Sequence, residues 1–230
     1  SLTRGINSDL KVLGDMLFAK SAGAMTLSRA LVDSQNNQTG TLIVESGGQL
    51  SGVSGQTQHL DADRVLISSV GNIGLVNAPL RIVAGQLAAT STLGDVYLRV
   101  TGDAEIIGQL PLIIHAVTAG GVSAQFTTAQ FLGLRTGASG SLDLYVDGNL
   151  TVAANAADAA GVGISAGSGG ARIEITAGLS HLSGIQTTGA LVVSVGGDHS
   201  NGEVTGAVDA AIIGSGLAAV PHPGLFAATD

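Results

Sequence analysis

A six-residue pattern, Leu-x-Val-x-Gly-Asp, recurs along this chain and constrains its fold more than any other feature. Copies begin at Leu10, Leu98 and Leu144, with a looser copy at Val193. Each copy joins the alternating apolar residues of a β-strand to a glycine and an acidic or amide residue that suit a tight turn. The separations between copies are near-multiples of roughly 20 to 30 residues, the length of one coil in a stacked solenoid. The pattern therefore predicts an all-β chain built from one repeated strand-and-turn unit.

Weaker copies at residues 42–47, 67–72 and 173–178 fill the gaps between the four main ones. Alternation within a copy directs Leu144 and Val146 inward and Tyr145 outward. We expect the glycine of each copy to adopt a positive φ and the Asp or Asn beside it to hydrogen-bond its own backbone. Such a unit buries its apolar face only against the coils above and below it, so contacts between neighbouring coils must supply most of the stability.

Composition agrees with a narrow, layered core. Hydrophobic residues make up 45% of the 230, whereas aromatic residues make up 3% and Trp is absent, so stacked aliphatic side chains must fill the interior. The 35 glycines interrupt the apolar runs too often for helices of ordinary length. About nine coils spaced by about 4.8 Å predict a rod on the order of 40 Å long.

The chain divides into three parts by how well it follows the unit. Residues 1–34 are predicted to be an N-terminal cap or the first coils, residues 35–209 the β-solenoid, and residues 210–230 a C-terminal tail or linker. Within the solenoid, residues 108–140 interrupt the rhythm, which predicts one longer coil or a protruding loop. The printed chain starts at Ser1 without the pattern of a signal peptide, so we expect a processed mature chain or an excised fragment.

Segments such as residues 92–98 and 147–152 resemble the β-helical shafts of filamentous haemagglutinin-like bacterial exoproteins, and the resemblance covers about residues 40 to 205. It implies a right-handed parallel β-helix, export to the bacterial cell surface, and a role in adhesion, matrix or filament building. Unpaired strand edges at the solenoid ends, or the terminal segments, would then support self-association, with host or matrix glycans or proteins as further partners. A second arrangement also explains the short strands: an antiparallel β-sandwich of a strand-donating fibre subunit.

Charge and composition exclude several classes of partner. The formal net charge is −8, from nine Lys and Arg against seventeen Asp and Glu, and no basic stripe suits a nucleic acid. The longest apolar stretch, residues 210–220, contains Gly214 and Gly216 and is too short to span a bilayer. No Cys is present, so neither disulfides nor thiolate chemistry is available.

Candidate sites are few, and we predict no cofactor. Residues 161–166 match a dinucleotide-binding pattern by letter, but no helix follows to receive a phosphate. His59, Asp61 and Asp63 would share one face of an extended segment and are the only weak candidates for a metal site. His115, His181, His199 and His222 show no spacing typical of a catalytic triad. Two sequons begin at Asn37 and Asn149.

We expect no enzymatic activity, but one alternative function stays open: a polysaccharide-active or glycan-binding β-helix. Its acids would be Asp143 with Asp147, or Asp95 with Asp103. Such a cleft would include arginines, with the candidates Arg81, Arg99 and Arg135. A glycan-binding surface needs exposed aromatic rings, and Tyr97 and Tyr145, both predicted to point outward, form the only plausible platform.

Overall fold

The computed structural model describes residues 9–33, 40–117, 123–158, 161–177, 184–195, 212–214 and 227–228, and this part of the chain is nearly all β. Its only helical segment is a short 3-10 turn, so no described helix could span a bilayer. The strands follow one another in short runs separated by turns, as the repeat predicts. In chain order they are β1 (Asp9–Leu13), β2 (Met16–Ser21), β3 (Met25–Leu27), β4 (Arg29–Asp33), β5 (Thr41–Ser46), β6 (Leu50–Gly52), β7 (Leu60–Asp61), β8 (Arg64–Ser69), β9 (Leu80–Val83), β10 (Gln86–Ser91), β11 (Val96–Thr101), β12 (Ala104–Ile106), β13 (Gly108–Gln109), β14 (Ile113–Val117), β15 (Ser123–Thr127), β16 (Phe131–Leu132), β17 (Leu134–Arg135), β18 (Ser141–Asp147), β19 (Leu150–Val152), the 3-10 turn η1 (Ala154–Ala156), β20 (Ile164–Ala166), β21 (Gly170–Ile175), β22 (Ile185–Thr187), β23 (Leu191–Val195), β24 (Ile212–Gly214) and β25 (Ala227–Ala228).

Most strands of the described part of the chain belong to two long parallel sheets. Sheet 1 has the order β1-β4-β7-β9-β11-β18-β21-β23, and sheet 2 has the main path β2-β5-β8-β10-β17-β20-β22-β24-β25. Every pair along these two paths is parallel, and from β1 to β24 the strands of the two paths alternate along the chain. The parallel pairing confirms the predicted β-solenoid and excludes the antiparallel sandwich. The right-handed winding and the three-part division of the chain stay predictions.

Aliphatic side chains from successive coils lie directly on top of each other. Leu98, Leu144, Ile173 and Val193 are register partners in sheet 1, and the first three are at most 1% exposed. A second ladder runs beside it, and all of its members are at most 4% exposed: Met25, Leu50, Ile73, Val96, Leu142, Ala171 and Leu191. Stacking at about 4.8 Å brings each side chain against its counterparts above and below, so the core is one continuous apolar column.

The register explains why the sequence pattern recurs irregularly. Leu10 aligns through Ala30, Leu60 and Ile82 with Val100, so its copy is offset by two residues from the copies at Leu98 and Leu144. The weaker copies at residues 42–47 and 67–72 lie in sheet 2, whereas the copy at 173–178 begins in sheet 1. One sequence pattern thus describes strands of two different sheets. Coil length also varies, from 18 residues between Ile82 and Val100 to 46 between Val100 and Val146.

The acidic residues of the turns bond across coils, which corrects the expectation that they bond their own backbone. Asp103 Oδ1 accepts the Asn149 N–H at 2.8 Å, and Asp95 Oδ1 accepts the Ser141 N–H at 2.7 Å. Gly102 has a φ of +85°, as predicted, and a Cβ on Gly148 would lie 2.5 Å from the Gly102 carbonyl carbon. The turns therefore stack closely enough for a side chain in one coil to satisfy a backbone amide in the next.

Serine hydroxyls make a second set of links between coils, where the strands of sheet 2 end. Ser46 and Ser91, at most 4% exposed, donate to the carbonyls of Gly23 and Gly71 at 3.0 and 2.9 Å. Ser69 donates to the carbonyl of Gly48 in the same way. Each hydroxyl satisfies a carbonyl of the preceding coil, so the corner is closed without leaving a buried polar group unpaired.

The long coil contains an insertion that folds over the outside of sheet 2. Residues 107–117 and 123–133 leave the sheet between β12 and β17 and include the antiparallel hairpin β14–β15, in agreement with the predicted interruption. Ile107 and Phe131 of the insertion pack on the outward side chains of three strands and form a second, smaller core with Ile43, Leu66 and Ala88. Glu45, buried beside it, accepts the Ala129 N–H at 2.7 Å and pairs with Lys20 Nζ at 2.7 Å.

We expect Leu144→Ala to lower the free energy of unfolding by about 2 to 5 kcal/mol, because it leaves a cavity in the stacked column. Leu93→Ala removes the same atoms from a side chain that is 72% exposed, and its effect should stay within about 0.5 kcal/mol. Urea denaturation followed by circular dichroism measures both changes. Equal losses in the two variants would contradict a core made of inward ladders.

Candidate functional site

The outward face of sheet 1 carries the largest group of chemically distinctive side chains that sequence reasoning had singled out. Tyr97 and Arg99 of β11 point outward, as do Asp143 and Tyr145 of β18, because Val96, Leu98, Leu142 and Leu144 between them are buried. Arg172 and Glu174 of β21 continue the same rows. Together with Val76 and Pro79 these side chains line a shallow cavity of about 170 Å³, which we call the outer trough.

Parallel register places the trough residues in two rows that run across the strands. Tyr97, Asp143 and Arg172 are successive partners in one row, and Arg99, Tyr145 and Glu174 are successive partners in the other. The two predicted platform tyrosines therefore lie diagonally on adjacent strands, within reach of one ligand. The structure thus brings together Tyr97 and Tyr145, which lie 48 residues apart in the sequence.

Contacts inside the trough restrict how the tyrosines can be used. The Arg99 guanidinium carbon lies 4.1 Å from the centre of the Tyr145 ring, a cation–π contact that covers one ring face. Partial burial and the neighbouring Asp95 raise the pKa of Tyr97 above its usual value, so its hydroxyl is protonated at neutral pH. Arg172 Nη2 pairs with Glu174 Oε2 at 3.1 Å. Tyr145 and Arg99 therefore act as one composite surface, half aromatic and half cationic.

A second cavity of about 200 Å³ lies beside the trough and shares Pro79 with it. Its lining includes Gln56, His59, Asn77 and Arg81. Arg81 on β9 is the register partner of Arg99 on β11, so the two arginines stand side by side on adjacent strands. Each cavity thus contains one of the pair.

His59 forms the inner wall of the second cavity and is only 5% exposed. Its Nδ1 accepts the Arg81 N–H at 3.0 Å, and its Nε2 lies 3.0 Å from the Val53 carbonyl oxygen. Since a backbone N–H can only donate, Nδ1 must be unprotonated, and Nε2 donates to Val53. Burial foremost, and the positive charge of Arg81 in addition, lower the pKa of His59 below its usual value.

The three weak candidates for a metal site are engaged elsewhere. Both ring nitrogens of His59 are used, Asp61 Oδ2 pairs with Arg29 Nη2 at 3.1 Å, and Asp63 Oδ2 accepts the Gly40 N–H at 2.7 Å. Among the described residues no group of three or more His, Asp and Glu side chains could hold a metal ion. The structure therefore does not assemble the predicted set into a cation site.

Neither predicted pair of acids has the geometry for glycoside cleavage. Asp143 and Asp147 lie four residues apart on one strand, which separates their backbones by about 13 Å. Paired catalytic carboxylates lie about 5 to 9.5 Å apart. Asp95 and Asp103 flank opposite ends of β11, and each accepts an amide of the next coil.

The remaining sequence candidates serve the fold. Residues 161–166 end in strand β20, with Gly161 at a φ of +82°, which is a turn and not a phosphate-binding loop. Arg135 donates to the carbonyls of Leu132 and Val162 and pairs with Asp158, so it ties the segments around it together. His115 lies in the hairpin, and Asn149 is bonded to Asp103. His181, His199, His222 and the sequon at Asn37 lie outside the described residues.

Sequence reasoning did not identify Arg172, Glu174, Val76 and Pro79 as parts of the trough. The weak copy at 173–178 contained a signal for Glu174, because aligning it with the copy at 144–149 puts Glu174 opposite Tyr145; the same alignment, extended by one residue, puts Arg172 opposite Asp143. Val76 and Pro79 belong to a loop, and only the folded chain shows where that loop lies.

Comparisons with protein-family models, curated proteins and solved structures find no match for this chain.

We expect stability to fall on acidification because of His59. Its lowered pKa in the folded state favours the neutral ring, so the stabilisation is complete above about pH 6.5 and is lost as the pH falls below that value. The loss cannot exceed about 1.4 kcal/mol per pH unit, the linkage limit for one proton.

Urea denaturation between pH 7.5 and 5.0 checks this dependence. His59→Gln, which cannot be protonated, should flatten the slope below pH 6.5 even if its stability at neutral pH is lower. His115→Gln makes the same substitution at an exposed histidine in the hairpin and is the matched control. An unchanged slope in His59→Gln would show that the acid response arises elsewhere.

Proposed function

We propose that this chain is a structural and adhesive β-solenoid, a rod segment of an extracellular fibre on a bacterial surface. The observation that carries the proposal is the unbroken parallel register of sheet 1 over eight strands. Seven steps of about 4.8 Å give a stack about 34 Å long, in which every coil has the same inward chemistry. A structure of this kind lengthens by adding coils, without a new core. The resemblance to filamentous haemagglutinin-like shafts supports the same function.

The edge of β1 shows how such a rod could continue. Gly14 donates its backbone N–H to the backbone carbonyl of Asp33 in β4 at 3.2 Å. Because backbone amides alternate in direction along a strand, the N–H of Lys11 points away from β4. A strand of another chain, or a preceding coil, could pair with that edge, as exposed sheet edges commonly do.

The outer trough supplies the adhesive part of the proposal. Its two rows of side chains run along the stacking direction, so a ligand lying in it would contact several coils at once. Aromatic, cationic and acidic groups occur side by side there, which is typical of surfaces that bind polar partners. Contacts distributed over several coils would also spread a pulling force along the rod.

A polysaccharide-active β-helix is the second candidate function, and Asp143 and Glu174 favour it. These two acids are diagonal neighbours on adjacent strands and flank Arg172 in the trough. Release of reducing ends from acidic or neutral polysaccharides would reveal this activity, and its loss in Asp143→Asn and Glu174→Gln would locate it. Under the adhesive proposal the wild-type chain releases none.

Assembly is tested by blocking one edge. We expect the 230-residue chain at high concentration to form end-to-end rods in negative-stain electron microscopy and larger species in sedimentation. Lys11→Pro removes an amide that faces away from β4, so it should prevent lengthening while the β1–β4 pairing survives. Lys11→Ala loses the same ion pair with Asp33 but keeps the amide, and it should assemble as the wild type does.

Two outcomes would contradict the proposed assembly. The first is a wild-type chain that stays as single particles at every concentration. The second is a Lys11→Pro variant that lengthens as well as Lys11→Ala, which would show that the β1 edge takes no part. Circular dichroism and melting temperature establish that both variants are folded.

A further inference from the structure

Two arginines stand directly opposite each other on the outward face of sheet 1. Arg81 and Arg99 are register partners on parallel strands, whose backbones lie about 4.8 Å apart. Like charges in directly opposed positions of a sheet repel each other. Among the described residues neither guanidinium has a carboxylate within ion-pair distance, although the chain has a net charge of −8.

The other basic side chains of the described residues are mostly paired. Those that contact a carboxylate are Lys11, Lys20, Arg29, Arg135 and Arg172. Arg64, on the opposite sheet, donates instead to Gln86 at 2.9 Å. Arg81 and Arg99 are thus a local concentration of unneutralised positive charge on an acidic protein. An anion bound between them would remove the repulsion.

The surroundings of the pair suit a polar, extended ligand. Arg81 lines the cavity that contains Gln56 and Asn77, and Arg99 lines the outer trough, where its stacking on Tyr145 holds it in place. A guanidinium presents a rigid fork of donors that matches the two oxygens of a carboxylate. Two such forks in neighbouring cavities suit a chain with regularly spaced carboxylates.

We propose that Arg81 and Arg99 bind the carboxylates of an acidic glycan, a chain of uronate-type sugars that lies along the trough against Tyr97 and Tyr145. This assignment rests on the proposed adhesive function and names its ligand. Asp143 and Glu174 lie in the same trough, and their negative charge favours a ligand with one carboxylate per sugar over a densely sulfated chain. The amides of Gln56 and Asn77 and the rings of Tyr97 and Tyr145 near the pair favour a sugar over an acidic peptide.

Binding of oligogalacturonate to the full 230-residue chain, measured by isothermal titration calorimetry, tests the proposal. We expect Arg81→Gln and Arg99→Gln each to weaken binding by about tenfold, and the double variant to abolish it. Arg64→Gln removes the same charge from the opposite sheet and should bind within about twofold of the wild type. Affinity should also fall as salt is raised. Tyr97→Ala should weaken binding without changing its salt dependence.

Stability separates loss of binding from loss of folding. The amide that Arg81 donates to His59 belongs to the backbone, so Arg81→Gln keeps it, and relief of the repulsion should leave the melting temperature of the free protein unchanged or higher. Oligogalacturonate should raise the melting temperature of the wild type and not that of the double variant. If a Gln variant does not fold, Arg81→Lys and Arg99→Lys replace it, because they keep the charge and lose only the fork.

Several results would overturn the proposal. These are equal binding of a neutral dextran, tighter binding of dextran sulfate or polyglutamate than of oligogalacturonate, and equal weakening by Arg64→Gln. Fibre formation, and its loss in Lys11→Pro, is measured independently of oligogalacturonate binding. A chain that forms fibres but binds no oligogalacturonate would therefore refute the ligand while leaving the rod intact.

Discussion

The stacking of one aliphatic side chain on another from coil to coil is the interaction on which the rest of this structure depends. No single coil encloses enough apolar surface to exclude water, since each contributes only a few short strands. The ladder that contains Leu98 and Leu144 solves this, because each of its side chains is buried by those of the coils on either side. The same column positions the outer trough, because side chains alternate in direction along a strand and the residue next to each buried one points outward.

Polar groups at the corners fix the register that the apolar column alone would leave free. A ladder of Leu, Ile and Val tolerates sliding, because one aliphatic side chain packs nearly as well as another. The hydrogen bonds of Asp95 to Ser141 and of Ser91 to Gly71 do not tolerate sliding, because each joins a particular residue of one coil to a particular residue of another. The positions of the outward tyrosines and arginines thus depend on bonds made in the turns beside their strands.

Sequence reasoning reached the strands, the inward ladders and the outward direction of Tyr97 and Tyr145, because alternation is a local property. It did not predict that Arg81 and Arg99 are register partners. Coil length varies between 18 and 46 residues, so the partner of a residue in the next coil cannot be found from a fixed spacing along the chain. The same limit applies to His59, whose partner Arg81 belongs to the next coil. The bonds of the turn acids were misjudged for a related reason: their partners lie one coil away and not within the turn.

The hairpin-bearing insertion makes the two broad sides of the rod unlike. It covers Ile43, Leu66 and Ala88, three outward aliphatic residues that would otherwise form an exposed apolar strip on sheet 2. Rods with such a strip exposed would associate side by side, whereas here the side chains of Ile107 and Phe131 cover it. Sheet 1 is left as the broad face that bears the trough, so several rods joined end to end in one orientation would present their troughs along a single line.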